Sequence, residues 1–395
     1  MRRIDLKNVS VARSNTIRDI NRQIVLNYVR EKGPISRADI AKETDLQRST
    51  VSHIVKELTD FNLIKEIYGE SSGGRPPALL TLRSARPVAI GIDLGTVKTT
   101  VGCCDLTGRI IEKDEFDSDP DEVRTTERII SSVQGMMQKH PGLIESIGVS
   151  MPALIDPTKK HVLFSPHFTW RDPQIIERLE EATRIPVIAE NDANAAALAE
   201  LWFGRLAIPD VRDFIMVFVE NGIGTGIVFD GQIYRGKSGV AGEFGHMRIG
   251  TDAPTACANG SRECWEAFAS ERAALARYAL IVGESKAATV SFADLIDLAF
   301  ENDLIALKVL KETAYYIGLG LGNLIQGLSP EAILVGGTIS RAWSLVGNDV
   351  IAATDSVVCQ GMTGTRILPS TMGANSALMG AFSLILADKF ASVSI

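Results

Sequence analysis

The sequence predicts an α/β body of two lobes preceded by a small, mostly helical domain with a β wing. Three observations carry this reading. The first 84 residues combine helical apolar spacing with a glycine-rich hairpin. From Pro87 onward, apolar strands alternate with helices. The charge divides at the same place. Residues 1–86 hold 16 Lys+Arg and 10 Asp+Glu, a net of +6, whereas the rest holds 25 and 38, a net of −13. A basic head on an acidic body fits a polyanionic partner at the head, and equally an ordinary solvated surface, so charge alone does not decide.

A chain of 395 residues is too long for one ordinary core, so several domains are expected. Hydrophobic content of 45% and charged content of 23% suit a globular protein. No apolar run reaches the roughly 18 residues of a membrane span. The start, MRRIDLKNVSVARSN, has no apolar stretch behind its arginines. Neither a secretory leader nor membrane insertion is therefore expected, and a cytoplasmic location is. The cysteines, Cys103, Cys104, Cys257, Cys264 and Cys359, are odd in number and scattered. That pattern fits a reducing compartment and favours metal binding over disulfides.

In the head, Ile20, Ile24, Val25, Tyr28 and Val29 recur at helical spacing between Ile17 and Arg30, and Gly33-Pro34 ends that helix. Ser36 is placed to cap a second helix that buries Ile40 and Ala41. Asp45-Leu46-Gln47 makes a turn, and a third helix buries Val51, Ile54, Val55 and Leu58. Its leading residues, Gln47, Arg48, Ser49, Thr50 and His53, are all able to hydrogen-bond bases or phosphates. Two short helices, a tight turn and a polar leading edge describe a helix-turn-helix. The stretch KEIYGESSGGRPPALLTL then reads as a hairpin wing, with Arg75 able to reach a phosphate or a minor groove. Operator DNA is the expected partner. The domain is drawn at residues 1–84.

In the body, VAIGIDLGTVKTTVGCCDLTGRII reads as strand, glycine turn, strand, turn and strand. SIGVSMP, PVIAEND, DFIMVFVENGIGTGIVF and AILVGG add further strands between helices. The glycine run Asn221–Gly226 is a candidate phosphate loop, although glycine-rich hairpin turns are common.

The order of DLG, MPALID, FTW, ENDANAAALAE, GIGTGIVFDGQIYRGKSGVAGEFGH, a cysteine cluster ending CWE, and VGG resembles the ROK family of bacterial sugar kinases and repressors. AGEFGH followed twenty residues later by CWE is its most specific part. The winged head is similar to that of the repressor branch. The resemblance implies an actin-like, sugar-kinase-like fold for residues 85–395. One lobe would span about 85–195 plus the C-terminal helix, and the other about 196–378. It also implies sugar contacts from Asn191, Asp192, Glu243, His246 and Glu266. Such groups suit a polyol, whose hydroxyls donate to carboxylates.

Family members hold zinc with one His and three Cys. Here His246, Cys257 and Cys264 match, and Asn259 stands where the middle Cys would be. Water, Asn259 or Glu263 is left to complete a tetrahedral site. Kinase relatives carry phosphate loops like D-x-G-G-T-K and G-T-G-x-G. This chain reads DLGTVK and ENGIG, so Thr96, Val97, Glu220 and Asn221 depart from the pattern. Loss of ATP turnover with retention of the sugar residues implies a sensor. The expected protein is a sugar- or sugar-phosphate-responsive repressor of carbohydrate genes, acting as a homodimer or homotetramer. The alternative is an ATP-dependent sugar kinase with an attached DNA-binding head, in which Asp192 would be the general base.

Overall fold

The computed structural model describes residues 14–69, 76–84, 86–156, 158, 161–165, 174–204, 211–359, 361–362 and 364–390. They divide into two compact units. One holds the described residues up to Val88, with Cys104–Ile111 and the chain end from Leu386. The other holds Ala89–Cys103 and Glu112–Ile385.

The N-terminal elements fall where the apolar spacing places them. Helix Ser14–Lys32 buries Val25, Leu26 and Val29. Ser36 caps helix Arg37–Thr44 by accepting from the Asp39 N–H at 3.2 Å, and the helix ends at Asp45 in the left-handed region, φ 57°. Helix Arg48–Asp60 buries Val51, Ile54, Val55 and Leu58 against its neighbours. The wing pairs Ile64–Tyr68 antiparallel with Ala78–Leu82, in the register Ile64↔Leu82 to Tyr68↔Ala78. Ile35–Ser36 pairs with the other edge of Ala78–Leu82. Arg75 and the wing tip lie outside the described residues.

The second unit contains two five-stranded sheets built to one plan. In the first, Ala89–Leu94, Lys98–Cys104 and Ile110–Asp117 run consecutively outward, and Ser146–Met151 and Val187–Asn191 add parallel on the other side. In the second, Phe214–Val219, Ile223–Phe229 and Gln232–Ile233 run outward, and Ala332–Gly337 and Arg366–Pro369 add in parallel. The central strands read as continuous apolar runs because helices cover both faces. The C-terminal helix Ser376–Phe390 lies on the first sheet, where Gly91, Gly102 and Gly148 leave room for Phe382, Leu378 and the Ala381 carbonyl.

The glycine run departs from the expected phosphate loop. Its turn is only Glu220–Gly222, and Gly224 and Gly226 belong to strand Ile223–Phe229. A Cβ on Gly226 would come within 2.4 Å of the Ala193 carbonyl oxygen and 2.7 Å of Ala197 Cβ. These glycines serve the close approach of helix Asp192–Phe203, whose alanines are buried in the same contact.

Candidate sugar and metal site

Asn191 and Asp192 stand where strand Val187–Asn191 passes into helix Asp192–Phe203. Asn191 is the N-cap. Its Oδ1 accepts from the N–H groups of Ala193 and Asn194 at 3.0 and 3.2 Å, and its Nδ2 donates to the Ala153 carbonyl at 3.3 Å. Asp192 accepts from the Ala193 N–H at 2.8 Å. Burial pushes its carboxyl up to about 6 despite that hydrogen bond, with Glu243 adding like-charge repulsion.

Glu243 and His246 occupy the single turn Glu243–His246. Two glycines set that turn down on the second sheet. Gly242 has φ 97°, and a Cβ there would lie 2.2 Å from the Thr225 carbonyl oxygen. A Cβ on Gly245 would lie 2.1 Å from the Ile223 carbonyl oxygen. His246 Nε2 lies 3.7 Å from Glu243 Oε2. Glu266 is buried, accepting from the Ala258 N–H at 2.7 Å and the Ile223 N–H at 3.5 Å. It raises the Glu243 carboxyl further, after burial itself.

The segment after His246 folds back on itself. The Ile249 N–H donates to Glu263, the Ala253 N–H to Arg262, and Arg248 bridges Cys264. That ladder returns Cys264 to the neighbourhood of His246, and the turn Cys257–Ser261 supplies the second thiol. The candidate ligand atoms of His246, Cys257 and Cys264 all lie within 4.8 Å of one another. Both cysteines are buried, and the buried Nδ1 of His246 has no hydrogen-bond partner. One imidazole nitrogen and two sulfurs form a donor set that suits a borderline-soft cation. Asn259 is exposed, and Glu263 is paired with Arg248 at 2.6 Å.

The two turns that depart from the kinase-like pattern meet each other. Asn221 Nδ2, on the turn of the second sheet, donates to Thr96 Oγ1, on the first turn of the first sheet. Beside them lie acids that burial drives upward. Asp93 is pushed to about 7 and Glu271 to about 7, and Glu220 goes well above the usual carboxylate range, with Glu271, Asp93 and Asp192 adding repulsion. Lys98 is drawn to Glu115 at 2.8 Å. The sequence reading identified Glu220, Thr96, Val97 and Asn221 as departures. It missed Glu271 and the pairing of Thr96 with Asn221, because nothing in one sequence joins positions 125 residues apart.

In the head, Gln47, Arg48, Ser49 and His53 are exposed, and Thr50 is partly so. Arg48 opens the helix and Gln47 precedes it as N-cap. His53 Nε2 lies 3.1 Å from Glu57, which also pairs with Arg18.

The ROK family model matches residues 89–388, three quarters of the chain. The chain belongs to the ROK family. A winged helix-turn-helix DNA-binding model matches residues 18–65 of this ROK protein. The xylose repressor of Bacillus spizizenii is 34% identical over 386 residues, covering 96% of this chain and 98% of that one. The DNA-binding transcriptional dual regulator NagC of Escherichia coli is 26% identical over 381 residues, 93% of each. Among solved structures, a ROK family transcriptional regulator homologous to E. coli MLC aligns over 95% of this chain and 99% of its own, with TM-score 0.74 and 26% identity. A ROK family glucokinase from Streptomyces griseus, in complex with glucose and AMPPNP, aligns over 75% of this chain and 98% of its own, with TM-score 0.69 and 29% identity. The first alignment extends over the head. Among the described residues, no helix is long and apolar enough to cross a membrane.

Proposed function

We propose that this ROK protein is a sugar-responsive transcriptional regulator, a cytoplasmic repressor of carbohydrate uptake or catabolism genes. Residues 1–84 bind operator DNA, and residues 85–395 bind the effector in a body of two lobes. The observation that carries this reading is the hydrogen bond between Thr96 and Asn221. The two loops that would hold a nucleotide's phosphates are tied to each other and lined by Asp93, Glu220 and Glu271. A triphosphate placed there would meet Glu220, which stands where kinase relatives carry glycine, where it needs backbone N–H donors and cations. Among the candidate sugar residues, Asp192, Glu243, His246 and Glu266 lie near enough to act on one another electrostatically.

Asn191, Asp192, Glu243, His246 and Glu266 hold the effector. Glu266 has both carboxylate oxygens accepting backbone hydrogen bonds, which fix its orientation. Zinc fits the His246, Cys257 and Cys264 donors, with water in the fourth position. When bound, it would fix the His246 tautomer through Nδ1 and leave Nε2–H as a donor toward Glu243 or a hydroxyl. Closure of the body around the sugar is the bistable element. In a symmetric homodimer or homotetramer it would alter half-site spacing. Xylose is the first sugar to test, because relatives alike over nearly the whole chain are named for it.

The test uses full-length protein and a DNA fragment selected by it from a random pool. D-xylose, D-glucose, N-acetyl-D-glucosamine and their phosphates are added in turn. At least one is expected to bind and to change DNA affinity. A protein that binds none of them, or whose DNA binding ignores the one it binds, is not the proposed regulator. The kinase reading rests on Asp192, whose elevated carboxyl near 6 would suit a base. ATP-dependent phosphorylation of the bound sugar by the wild type, lost in Asp192→Asn, would establish it.

A further inference from the structure

Glu190 precedes the two candidate sugar residues at the end of a buried strand, and its side chain is only 5% exposed. Arg235 reaches it from the second sheet's outer loop. Arg235 Nε and Nη2 donate to Glu190 Oε2 at 3.0 and 2.7 Å. The other carboxylate oxygen accepts from Asn194 Nδ2 and the Asn191 N–H, both at 3.3 Å. Glu190 therefore grips the turn that presents Asn191 and Asp192 while it is itself gripped by Arg235.

Arg235 begins the loop that ends in Glu243–His246. The Ala241 N–H donates back to the Arg235 carbonyl at 3.2 Å, closing that loop on itself. Gly242 and Gly245 lie against strand Ile223–Phe229 with no room for a Cβ, so the loop's far end is fixed to its own sheet. Its near end is fixed to the first sheet through Glu190. One charged pair thus ties the segment carrying Glu243 and His246 to the strand end carrying Asn191 and Asp192. Its strength follows from burial, since a carboxylate removed from water interacts strongly with a well-placed guanidinium and poorly tolerates its loss.

We propose that Arg235 is a positioning residue for the effector site: its ion pair with Glu190 sets the spacing between the two groups of sugar-binding side chains. This rests on the sugar-site reading above. Neither residue needs to touch the ligand.

The experiment is calorimetric titration of full-length protein with whichever of D-xylose, D-glucose and N-acetyl-D-glucosamine binds the wild type most tightly. Arg235→Gln is expected to weaken binding about ten-fold or more, with sugar-free DNA affinity unchanged. Arg235→Lys, which keeps the charge but loses the fork, should fall between the two. The double variant Glu190→Gln with Arg235→Gln should bind no more weakly than Glu190→Gln alone, because the two changes remove one interaction. If Arg235→Gln does not fold, Arg235→Lys carries the test, and wild-type affinity in it overturns the proposal. Wild-type affinity in a folded Arg235→Gln, or losses that simply add in the double variant, also overturns it while leaving the sugar site standing. Failure of the wild type to bind any of the three sugars overturns the sugar-site reading and this inference together.

Discussion

Asp192 combines two demands that pull in opposite directions. It opens a helix, where a carboxylate is favoured, yet it is buried among other acids, where a charge is disfavoured. Burial wins, and its carboxyl rises to about 6. In the proposed reading it accepts a hydrogen bond from a sugar hydroxyl. Asp192→Ala should weaken sugar binding by roughly ten- to a hundred-fold, the loss of one charge-assisted bond of about 1.5–3 kcal/mol. Sugar-free DNA affinity should be unchanged in a mobility-shift assay. The neighbouring acids make a pH prediction. Asp93 and Glu271 sit near 7 in the folded chain and return to ordinary carboxylate values on unfolding. Folding therefore takes up protons between about pH 4 and 7, and the stability from these groups is full below about 4 and lost as pH rises toward 7. Asp93→Asn should raise the melting temperature of the sugar-free protein at pH 8 and leave it unchanged at pH 4. Equal effects at both pH values would remove burial of a charge as the cause.

At the scale of elements, three segments work through their backbones. The helix Arg48–Asp60 exposes its first turn and buries its opposite face, so a base edge can be read without disturbing the core. Arg48→Ala should cost specific DNA binding about 1–3 kcal/mol if that guanidinium forms a bidentate base contact. An unchanged ratio of specific to non-specific affinity would assign Arg48 to the phosphates instead. The hairpin from Arg248 to Cys264 returns one thiol to His246 and supports Glu266 through the Ala258 N–H, so the candidate metal and sugar residues share one short scaffold. Cys264→Ala should abolish zinc retention and Asn259→Cys should tighten it, as read by metal analysis of protein purified without chelator. Full zinc content in Cys264→Ala would remove that cysteine from the donor set. Strand Ile223–Phe229 needs glycine where the helix from Asp192 crosses it. Gly226→Ala would drive a methyl group into the Ala193 carbonyl, so it should lower stability by at least about 1–3 kcal/mol and loosen Asp192 as well.

At the scale of the whole molecule, one ROK body joined to one winged head decides the function class, and each part alone would leave it open. A ROK body occurs in a glucokinase and in a transcriptional regulator alike. The head adds a DNA-binding domain. Phosphoryl transfer from ATP to the bound sugar is expected to be at background level in the wild type. The head's three helices and wing were legible because each apolar residue is repeated at the spacing of its own element, and Ser36, Asp45 and Gly33-Pro34 mark the ends. The long central strands of the body were legible as continuous apolar runs, whereas the short strands Leu154–Ile155, Val162–Phe164, Gln232–Ile233 and Arg366–Pro369 were not. Local chemistry of this kind acts within a few residues, so a sequence displays it directly. The sequence also determined the family, since AGEFGH and CWE are contiguous words. Only the tertiary structure decided which glycines turn the chain and which admit a helix, that Asn221 meets Thr96, that Glu190 meets Arg235, and that Glu263 pairs with Arg248. Those facts depend on two sheets and a folded-back hairpin arriving side by side. Contacts between residues 45 or 125 positions apart are fixed by packing and burial, and leave no period or spacing in the chain itself.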